Sequence, residues 1–295
     1  MSERKVGLIG VGLLGSALAE RMAEAGFVVS GFDRDWVFYD RMMQASESPR
    51  ATVVKSESPN QLAAEHDTLV MCLPDSHVMQ TVVEEIAPNL RAGMLVIDAT
   101  TGDPDVATEI AGRLSEQQIG YVDATIAGSS EQARRGEAVV VVGGSEADIA
   151  RAAPILESWS SHRFHVGDAG SGQRLKLVIN LVLGLNRAVL AEGLNLARAA
   201  GIDATAALEV LKATPAYSRV MDTKGMKMIQ REFTTQAKLT QHRKDVGLIR
   251  ELGQKCGAAT PLSDLHEDLL RLAVELGFGD ADNSAVIEAV AAWKT

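Results

Sequence analysis

Cysteine is scarce in this chain, and its few copies form no recognisable site. The 295 residues contain two cysteines, Cys72 and Cys256, which belong to no metal-binding or redox motif. The six histidines show no spacing typical of metal ligands. We therefore expect neither a disulfide framework nor a metal site. Two free thiols indicate a reducing compartment, which we take to be the cytoplasm.

An excess of positive charge is also missing. Lys and Arg number 29 against 39 Asp and Glu, a formal net charge of −10 at pH 7. This balance argues against nucleic acid and anionic membranes as partners, although backbone amides can still bind a dinucleotide. The charged start, Ser2–Lys5, leads directly into an apolar run, so no signal peptide is expected.

The N-terminal segment carries a glycine pattern in a specific context. An apolar run over 5–9 predicts a strand, and Gly10-Val-Gly-Leu-Leu-Gly15, a helix over 16–25 and a second strand over 27–32 follow. This is the context that a dinucleotide-binding G-x-G-x-x-G motif requires. Gly10 permits the turn, Gly12 lets a pyrophosphate approach, and Gly15 lets the helix pack on the sheet. We predict cofactor contacts from Gly10, Gly12, Leu13, Leu14 and Gly15.

Asp33 stands at the end of the second predicted strand, 23 residues after Gly10. An acid there binds the ribose hydroxyls of NAD and repels the 2′-phosphate of NADP. Arg34, directly after it, is suited to bind that phosphate. We therefore favour NAD as the cofactor and keep NADP as the alternative.

Strands and helices alternate up to Val166 and then give way to helices alone. The pattern predicts an α/β domain with a doubly wound, mostly parallel sheet over 1–166 and an all-α domain over 167–295. Ligands bind at the carboxyl ends of such strands. Those ends are predicted at Leu73-Pro74, at Thr100-Thr101 and in a loop over 124–130.

A long apolar helix is predicted to begin near Ser171 and to join the two domains, with polar residues on one face. Lys176 and Asn180 are one turn apart on that face. A lysine in a low-dielectric site has a lowered pKa and can exchange protons near neutral pH. The helix is too interrupted by polar side chains to favour a membrane span. Because it is apolar nearly all round, a homo-oligomer is expected.

The chain resembles the β-hydroxyacid dehydrogenase family, the group of 3-hydroxyisobutyrate dehydrogenase and tartronate semialdehyde reductase. Five ordered motifs carry the resemblance: 10–15, 123–129, 170–180, Lys244-Asp245 and 277–284. It implies an NAD(P)-dependent oxidoreductase that interconverts a small 3-hydroxy acid and its semialdehyde or oxo acid. Lys176 would be the general acid/base, and Asn180 would hold the substrate hydroxyl or the lysine.

The resemblance also implies the remaining contacts. The substrate carboxylate would lie on the amides of the Gly128 loop, with Lys244 nearby, and Asp245 would orient Lys244 or the nicotinamide side. Thr101 would lie by the nicotinamide ribose. Further cofactor contacts are implied for Leu73, Pro74, Thr101 and Lys244, and substrate contacts for Thr125, Ala127, Gly128, Ser129, Lys176, Asn180, Lys244 and Asp245.

The loop over 124–130 departs from the family pattern. Thr125 replaces the usual proline, Ala127 a serine and Ser129 the second glycine. Loss of the serine hydroxyl removes one hydrogen bond to a charged group, about 1.5–3 kcal/mol. Ser129 or Ser130 can supply a hydroxyl instead, or the pair can form a solvated turn. The loop argues against an ordinary 3-hydroxyisobutyrate-like substrate, while the redox chemistry is retained.

Other families and functions fit this sequence less well. In 6-phosphogluconate dehydrogenase a histidine precedes the catalytic asparagine, and this chain has Ile179 at that position. Imine reductases usually replace the catalytic lysine, and this chain keeps it as Lys176. An imine reductase-like or other NADPH reductase is kept as an alternative. So is a non-catalytic dinucleotide-binding module, since fold alone does not give function.

Overall fold

The computed structural model describes residues 4–37, 39–40 and 53–293, so part of the charged start at Ser2–Lys5 lies outside the described residues. The chain divides into two compact units, Met1–Lys176 and Leu177–Thr295. The division falls inside the long helix over 171–199, ten residues beyond the boundary predicted from the sequence.

Within the described residues, the first unit contains one eight-stranded sheet with strand order β3-β2-β1-β4-β5-β6-β7-β8. Neighbouring strands are parallel except for the antiparallel pair β6 and β7. This confirms the predicted doubly wound α/β sheet. The strands are β1 Arg4–Ile9, β2 Phe27–Phe32, β3 Val54–Lys55, β4 Thr68–Met71, β5 Leu95–Asp98, β6 Gly120–Ala127, β7 Val139–Gly144 and β8 Arg163–His165.

The register of the central strands brings their carboxyl ends to one edge. Ile9 pairs with Phe32 on one side and with Met71 on the other, and Met71 pairs with Asp98. The residues that follow these four strands therefore emerge side by side, as the parallel arrangement requires. They include Gly10, Asp33, Leu73 and Thr100.

Strand β6 corrects the sequence prediction. A loop was expected over 124–130, but β6 continues to Ala127. Its last residues pair with β7, and Ala127 lies opposite Val139. The connection over 128–138 is too short for the crossover that a parallel strand needs, so the chain returns antiparallel.

Helices cover both faces of the sheet. Successive residues of β1, Leu8 and Ile9, belong to two different apolar clusters, because side chains of a strand alternate between its faces. Trp159 packs in the first cluster and Met79 in the second. The helices of this unit that lie wholly within the described residues are α1 Leu13–Glu24, α2 Pro59–Glu65, α3 Ser76–Ile86, α4 Pro104–Glu116, α5 Ser130–Arg134, α6 Glu146–Trp159 and the start of α7 Ser171–Ala199.

The second unit is helical, as predicted. Its core contains Leu194, Leu208, Met228, Leu270 and Val286, all fully buried. After the remainder of α7, its helices are α8 Ala204–Lys212, α9 Val220–Gln230, α10 Leu239–Cys256, α11 Pro261–Ala273 and α12 Val286–Ala292, with short π and 3₁₀ turns over 274–278 and 283–285.

A buried ion pair explains the last of the five sequence motifs. Asp282 is fully buried and accepts hydrogen bonds from Lys224 Nζ at 2.8 and 2.9 Å and from the backbone N–H groups of Gln236 and Ala237. Burial opposes its charge, but these donors outweigh burial and lower the pKa of Asp282 to about 2. The acid therefore joins α9 to the segment before α10.

Among the described residues, α7 is the one helix long and apolar enough to cross a membrane by length and composition. Buried core helices of soluble proteins pass the same test, and 39% of its most apolar window is buried. Lys176 and Asn180 are buried within it. That α7 does not span a membrane stays a prediction.

Candidate active site

The glycine turn after β1 has the geometry that its sequence predicts. Gly10 has a φ of +97°, which favours glycine. A Cβ at Gly15 would lie 1.9 Å from the carbonyl oxygen of Gly10, so this close approach of helix and turn needs a glycine. A Cβ at Gly12, in contrast, would meet no atom within 4 Å. Open space at the N-terminus of α1 fits a pyrophosphate group.

Asp33 lies beside this turn. Its Oδ2 accepts a hydrogen bond from the backbone N–H of Val11 at 2.6 Å, and its Oδ1 accepts one from Asp35 N. The carboxylate is half-buried at the carboxyl end of β2, next to Gly10 in the sheet. Arg34 is exposed. These residues fit the adenosine side of a dinucleotide, and the choice between NAD and NADP stays a prediction.

The loops after β4 and β5 are joined by a hydrogen bond. Leu73 N donates to Thr100 Oγ1 at 3.1 Å, and Thr100 N donates to Asp98 Oδ1 at 2.8 Å. Pro74 is exposed and Thr101 half-buried at this edge. The structure thus brings the predicted Leu73, Pro74 and Thr101 to the same edge as the glycine turn.

The predicted substrate segment lies partly in β6 and partly after it. Thr125 is fully buried, and its hydroxyl donates to the carbonyl oxygens of Val141 and Gly172 at 3.4 and 3.3 Å. Ala127 ends the strand, and Gly128 is exposed. Ser129 caps α5 through a reciprocal pair of hydrogen bonds with Gln132. The hydroxyls of Thr125 and Ser129 therefore both have structural partners, and the substrate contacts of this segment stay predictions.

Helix α7 carries the predicted catalytic pair. Lys176 and Asn180 are 8% and 7% exposed, and they lie one turn apart on one face of the helix. Buried polar groups in an apolar helix need partners. Asn180 Nδ2 donates to Asp245 Oδ2 at 2.9 Å.

Asp245 on α10 holds two of the predicted residues. Besides the bond from Asn180, its Oδ1 lies 3.2 Å from Lys244 Nζ. The sequence predicted that Asp245 orients Lys244 or the nicotinamide side, and the pairing with Asn180 is an addition to that prediction. A carboxylate can only accept, so the Asn180 amide turns its N–H toward Asp245 and leaves its carbonyl oxygen to face another donor.

Sequence reasoning missed two buried side chains that form hydrogen bonds at the start of α7, one on β6 and one on α7 itself. Asp123 belongs to a quoted motif but was given no role, and Gln173 was not singled out. Asp123 accepts hydrogen bonds from the backbone of α7, and Gln173 bonds to the backbone after β5. Because these partners are 47–73 residues away in the chain, no local pattern could reveal them.

Across 4–37, 39–40 and 53–293, no group of three or more His, Cys, Asp or Glu is arranged to hold a metal ion. His242 and His266 lie with their ring centres 5.1 Å apart in the helical unit. Burial, together with the charge of Arg187, lowers the pKa of His266 to about 4, so this histidine is neutral at pH 7.

Two family models together match most of the chain. One, described as the NAD binding domain of 6-phosphogluconate dehydrogenase, matches residues 5–167. The other, described as NAD-binding of NADP-dependent 3-hydroxyisobutyrate dehydrogenase, matches residues 170–290. The match confirms a dinucleotide-binding first domain.

Relatives match over nearly the whole chain. The 2-(hydroxymethyl)glutarate dehydrogenase of Eubacterium barkeri is 29% identical over 96% of this chain and 94% of its own length. The chloroplastic glyoxylate/succinic semialdehyde reductase 2 of Arabidopsis thaliana is 26% identical over 98% and 80%.

Solved structures share the fold. The 3-hydroxyisobutyrate dehydrogenase of Salmonella typhimurium has a TM-score of 0.86 at 24% identity, covering 97% of this chain and 99% of its own. An imine reductase from Pseudomonas sp. is more distant, with a TM-score of 0.64 at 19% identity, covering 98% and 99%.

Proposed function

The chain belongs to the β-hydroxyacid dehydrogenase family, and we propose that it is an NAD(P)-dependent oxidoreductase that interconverts a small 3-hydroxy acid and its semialdehyde or oxo acid. The observation that carries the proposal is the buried pair Lys176 and Asn180 on α7, with Asn180 held by Asp245. A dinucleotide-binding module without catalysis would not need a lysine buried in an apolar helix.

The proposed chemistry follows from these side chains. In the oxidative direction, the neutral amine of Lys176 takes the proton from the substrate hydroxyl as the carbon–oxygen double bond forms and the hydride leaves. The nicotinamide, when bound, accepts or returns that hydride. In the reductive direction, the ammonium of Lys176 returns the proton to the oxygen. Asn180, fixed by Asp245, holds the hydroxyl or the lysine in line through its free carbonyl oxygen.

Residues that fit the cofactor support NAD as the favoured form. The open space at Gly12 suits the pyrophosphate, and Asp33 suits the ribose hydroxyls. We assign Leu13, Leu14, Leu73, Pro74 and Thr101 to the same site, and Arg34 as the residue that would favour NADP. Lys244 serves the cofactor or the substrate carboxylate.

The substrate is a carboxylate-bearing hydroxy acid of about three to six carbons by resemblance. Ala127, in place of a serine, leaves the carboxylate without one hydroxyl, and the amides near Gly128 and the charge of Lys244 are the remaining groups for it. The names of the relatives, a dehydrogenase of a substituted glutarate and a reductase of glyoxylate and succinic semialdehyde, fall within this class.

We further propose a cytoplasmic homodimer or homotetramer. Helix α7 supports the assembly, because Val182, Val189 and Leu196 are exposed on it at seven-residue spacing. Some relatives carry chloroplastic or mitochondrial in their names, so the compartment rests on the free thiols of this chain alone.

The test is an assay at 340 nm with NAD and NADP against a panel of 3-hydroxy acids, semialdehydes and imines. Lys176→Ala should lower kcat by about 10²–10⁴-fold and leave NADH binding intact, because it removes only the proton transfer. Arg174→Ala, a half-buried neighbour on the same helix whose side chain points to solvent in part, is the control and should match the wild type. An unchanged rate in Lys176→Ala would overturn the assignment. Turnover of imines alone would favour the reductase alternative, and NAD binding without any turnover the non-catalytic module.

A further inference from the structure

The start of α7 is anchored by a buried carboxylate from the sheet. Asp123 on β6 is fully buried. Its Oδ1 accepts a hydrogen bond from Gly170 N at 2.8 Å, and its Oδ2 accepts one from Gln173 N at 2.7 Å. The first N–H groups of a helix have no partner inside the helix and carry partial positive charge. Asp123 therefore fixes the N-terminus of α7 from a different element.

Two glycines make room for this carboxylate. A Cβ at Gly172 would lie 2.6 Å from Asp123 Oδ2, and a Cβ at Gly143 would lie 2.5 Å from Asp123 Oδ1. Burial raises the pKa of Asp123, while the helix N–H groups act in the opposite direction. The carboxylate thus occupies a space that a side chain at either glycine would fill.

Gln173 joins the same helical turn to the loop after β5. It is 1% exposed. Its Oε1 accepts from Gly102 N at 2.9 Å, and its Nε2 donates to Thr100 O at 2.7 Å. The glutamine side chain has an acceptor, its carbonyl oxygen, and a donor, its NH₂ group. These match one N–H group and one C=O group of this loop. A carboxylate or an alkyl side chain could not satisfy both.

The two contacts act on the turn that precedes Lys176. Lys176 lies three residues after Gln173 on α7, and the loop bonded to Gln173 contains Thr101, which we place by the nicotinamide ribose. All of these residues belong to the first unit. Since the loop and the turn are joined by short hydrogen bonds, the backbone of Lys176 is held in a fixed place relative to Thr101.

We propose that Asp123 and Gln173 are positioning residues: through hydrogen bonds to the first turn of α7 and to the 100–102 loop, they set the place of Lys176 relative to the nicotinamide. This rests on the proposed dehydrogenase function. Neither side chain touches the reacting atoms. A misplacement of about 1 Å can cost about 10²-fold in rate, so the effect belongs in kcat.

Gln173→Glu and Gln173→Leu test the amide, with Arg174→Gln as the control on the same turn. Gln173→Glu keeps the acceptor for Gly102 and loses the donor for Thr100, and Gln173→Leu loses both. We expect kcat, measured per molecule that binds NADH, to fall at least tenfold in both variants and more in Gln173→Leu. KM for the hydroxy acid should change less than threefold. Arg174→Gln should match the wild type.

A deuterium isotope effect separates positioning from stability. With the substrate deuterated at the carbinol carbon, the isotope effect on kcat should rise in both Gln173 variants, because hydride transfer becomes slower than product release. A merely structural role would lower the fraction of folded protein and leave kcat per binding molecule and the isotope effect unchanged. That result in an active enzyme would overturn the proposal.

Hydrogen exchange makes the result independent of the substrate panel. Gln173→Leu should speed exchange of the Gly102 amide at least tenfold. Asp123→Asn should do so for at least one of Gly170 and Gln173, because asparagine keeps only one acceptor oxygen, with amides of α4 unchanged. If the wild type turned over no panel member, the proposed function would fail while these exchange rates still decide whether the anchor exists. Unaltered protection in both variants would refute it.

Discussion

Asp98 is the residue whose ionisation in the sheet has the clearest consequence. It is buried at the end of β5, directly opposite Asp123 on β6, and it accepts hydrogen bonds from Thr100 N and Tyr121 Oη at 2.8 Å each. Burial, and to a lesser degree the charge of Asp123, raises the pKa of Asp98 to about 6. Its hydrogen bonds act in the opposite direction but do not restore the ordinary value.

Asp98→Asn should therefore remove a pH-dependent term from stability. A folded pKa above the unfolded value contributes stability that is present below about pH 4 and is lost as the pH rises through about 6. The difference in unfolding free energy between Asp98→Asn and the wild type should shift in favour of the variant by on the order of 2 kcal/mol when the pH rises from 4.5 to 7.5. Urea unfolding at both pH values measures this, and an equal difference at the two would refute it.

Local turn chemistry explains which site residues the sequence predicts. Gly10 and Gly15 are predictable because a positive φ and a close approach of helix and turn require glycine within the same turn. Gly12 is predictable because it belongs to the same motif. The roles of Asp123 and Gln173 cannot be predicted from the sequence, because their hydrogen-bond partners come from distant elements. Asp245 was assigned to the site by resemblance, yet its bond to Asn180 joins α10 to α7 and needed the structure.

At the scale of elements, α1 and the turn before it allow stability and binding to be separated. A methyl group at Gly15 would press on the backbone oxygen of Gly10 at 1.9 Å, whereas one at Gly12 meets open space. Gly15→Ala should cost about 1–3 kcal/mol of unfolding free energy. Gly12→Ala should stay within about 0.5 kcal/mol of the wild type. It should still weaken NADH binding at least tenfold, because the methyl occupies the place of the pyrophosphate.

Thermal unfolding and NADH fluorescence titration of the two variants measure both quantities. Each variant is the control for the other, since the same methyl group is added three residues apart. Full NADH affinity in Gly12→Ala would argue against a pyrophosphate at this turn. A Gly15→Ala protein as stable as the wild type would show that the backbone of the turn shifts to accommodate the methyl group at little cost in free energy.

Strand β6 shows where element prediction fails. The parallel strands were predictable from apolar runs between helices, and their order follows from right-handed crossovers. The residues after Asp123 were assigned to a loop because the predicted strand ended there, at the edge of the sheet where ligands bind. Pairing with β7 extends the strand to Ala127 instead, and that pairing depends on a segment beyond the connection.

At the scale of the whole molecule, the exposed face of α7 is the feature that a lone chain leaves unexplained. Val182, Val189 and Leu196 are 53%, 70% and 67% exposed. Their seven-residue spacing places them along one face of the helix, as in helices that pair with one another. A second copy of the chain, pairing along the same face, would bury this stripe.

Val182→Glu combined with Val189→Glu should therefore shift the protein toward a monomer, because two carboxylates in a paired apolar seam are costly to desolvate. Light scattering after gel filtration at micromolar concentration gives the mass. Val54→Glu, the same change at a 55% exposed valine on β3, should leave the mass of the assembly unchanged. A wild type with the mass of one chain would overturn the predicted assembly. An assembly that tolerates both glutamates would place the contacts between copies elsewhere. The exposed stripe would then need a different partner.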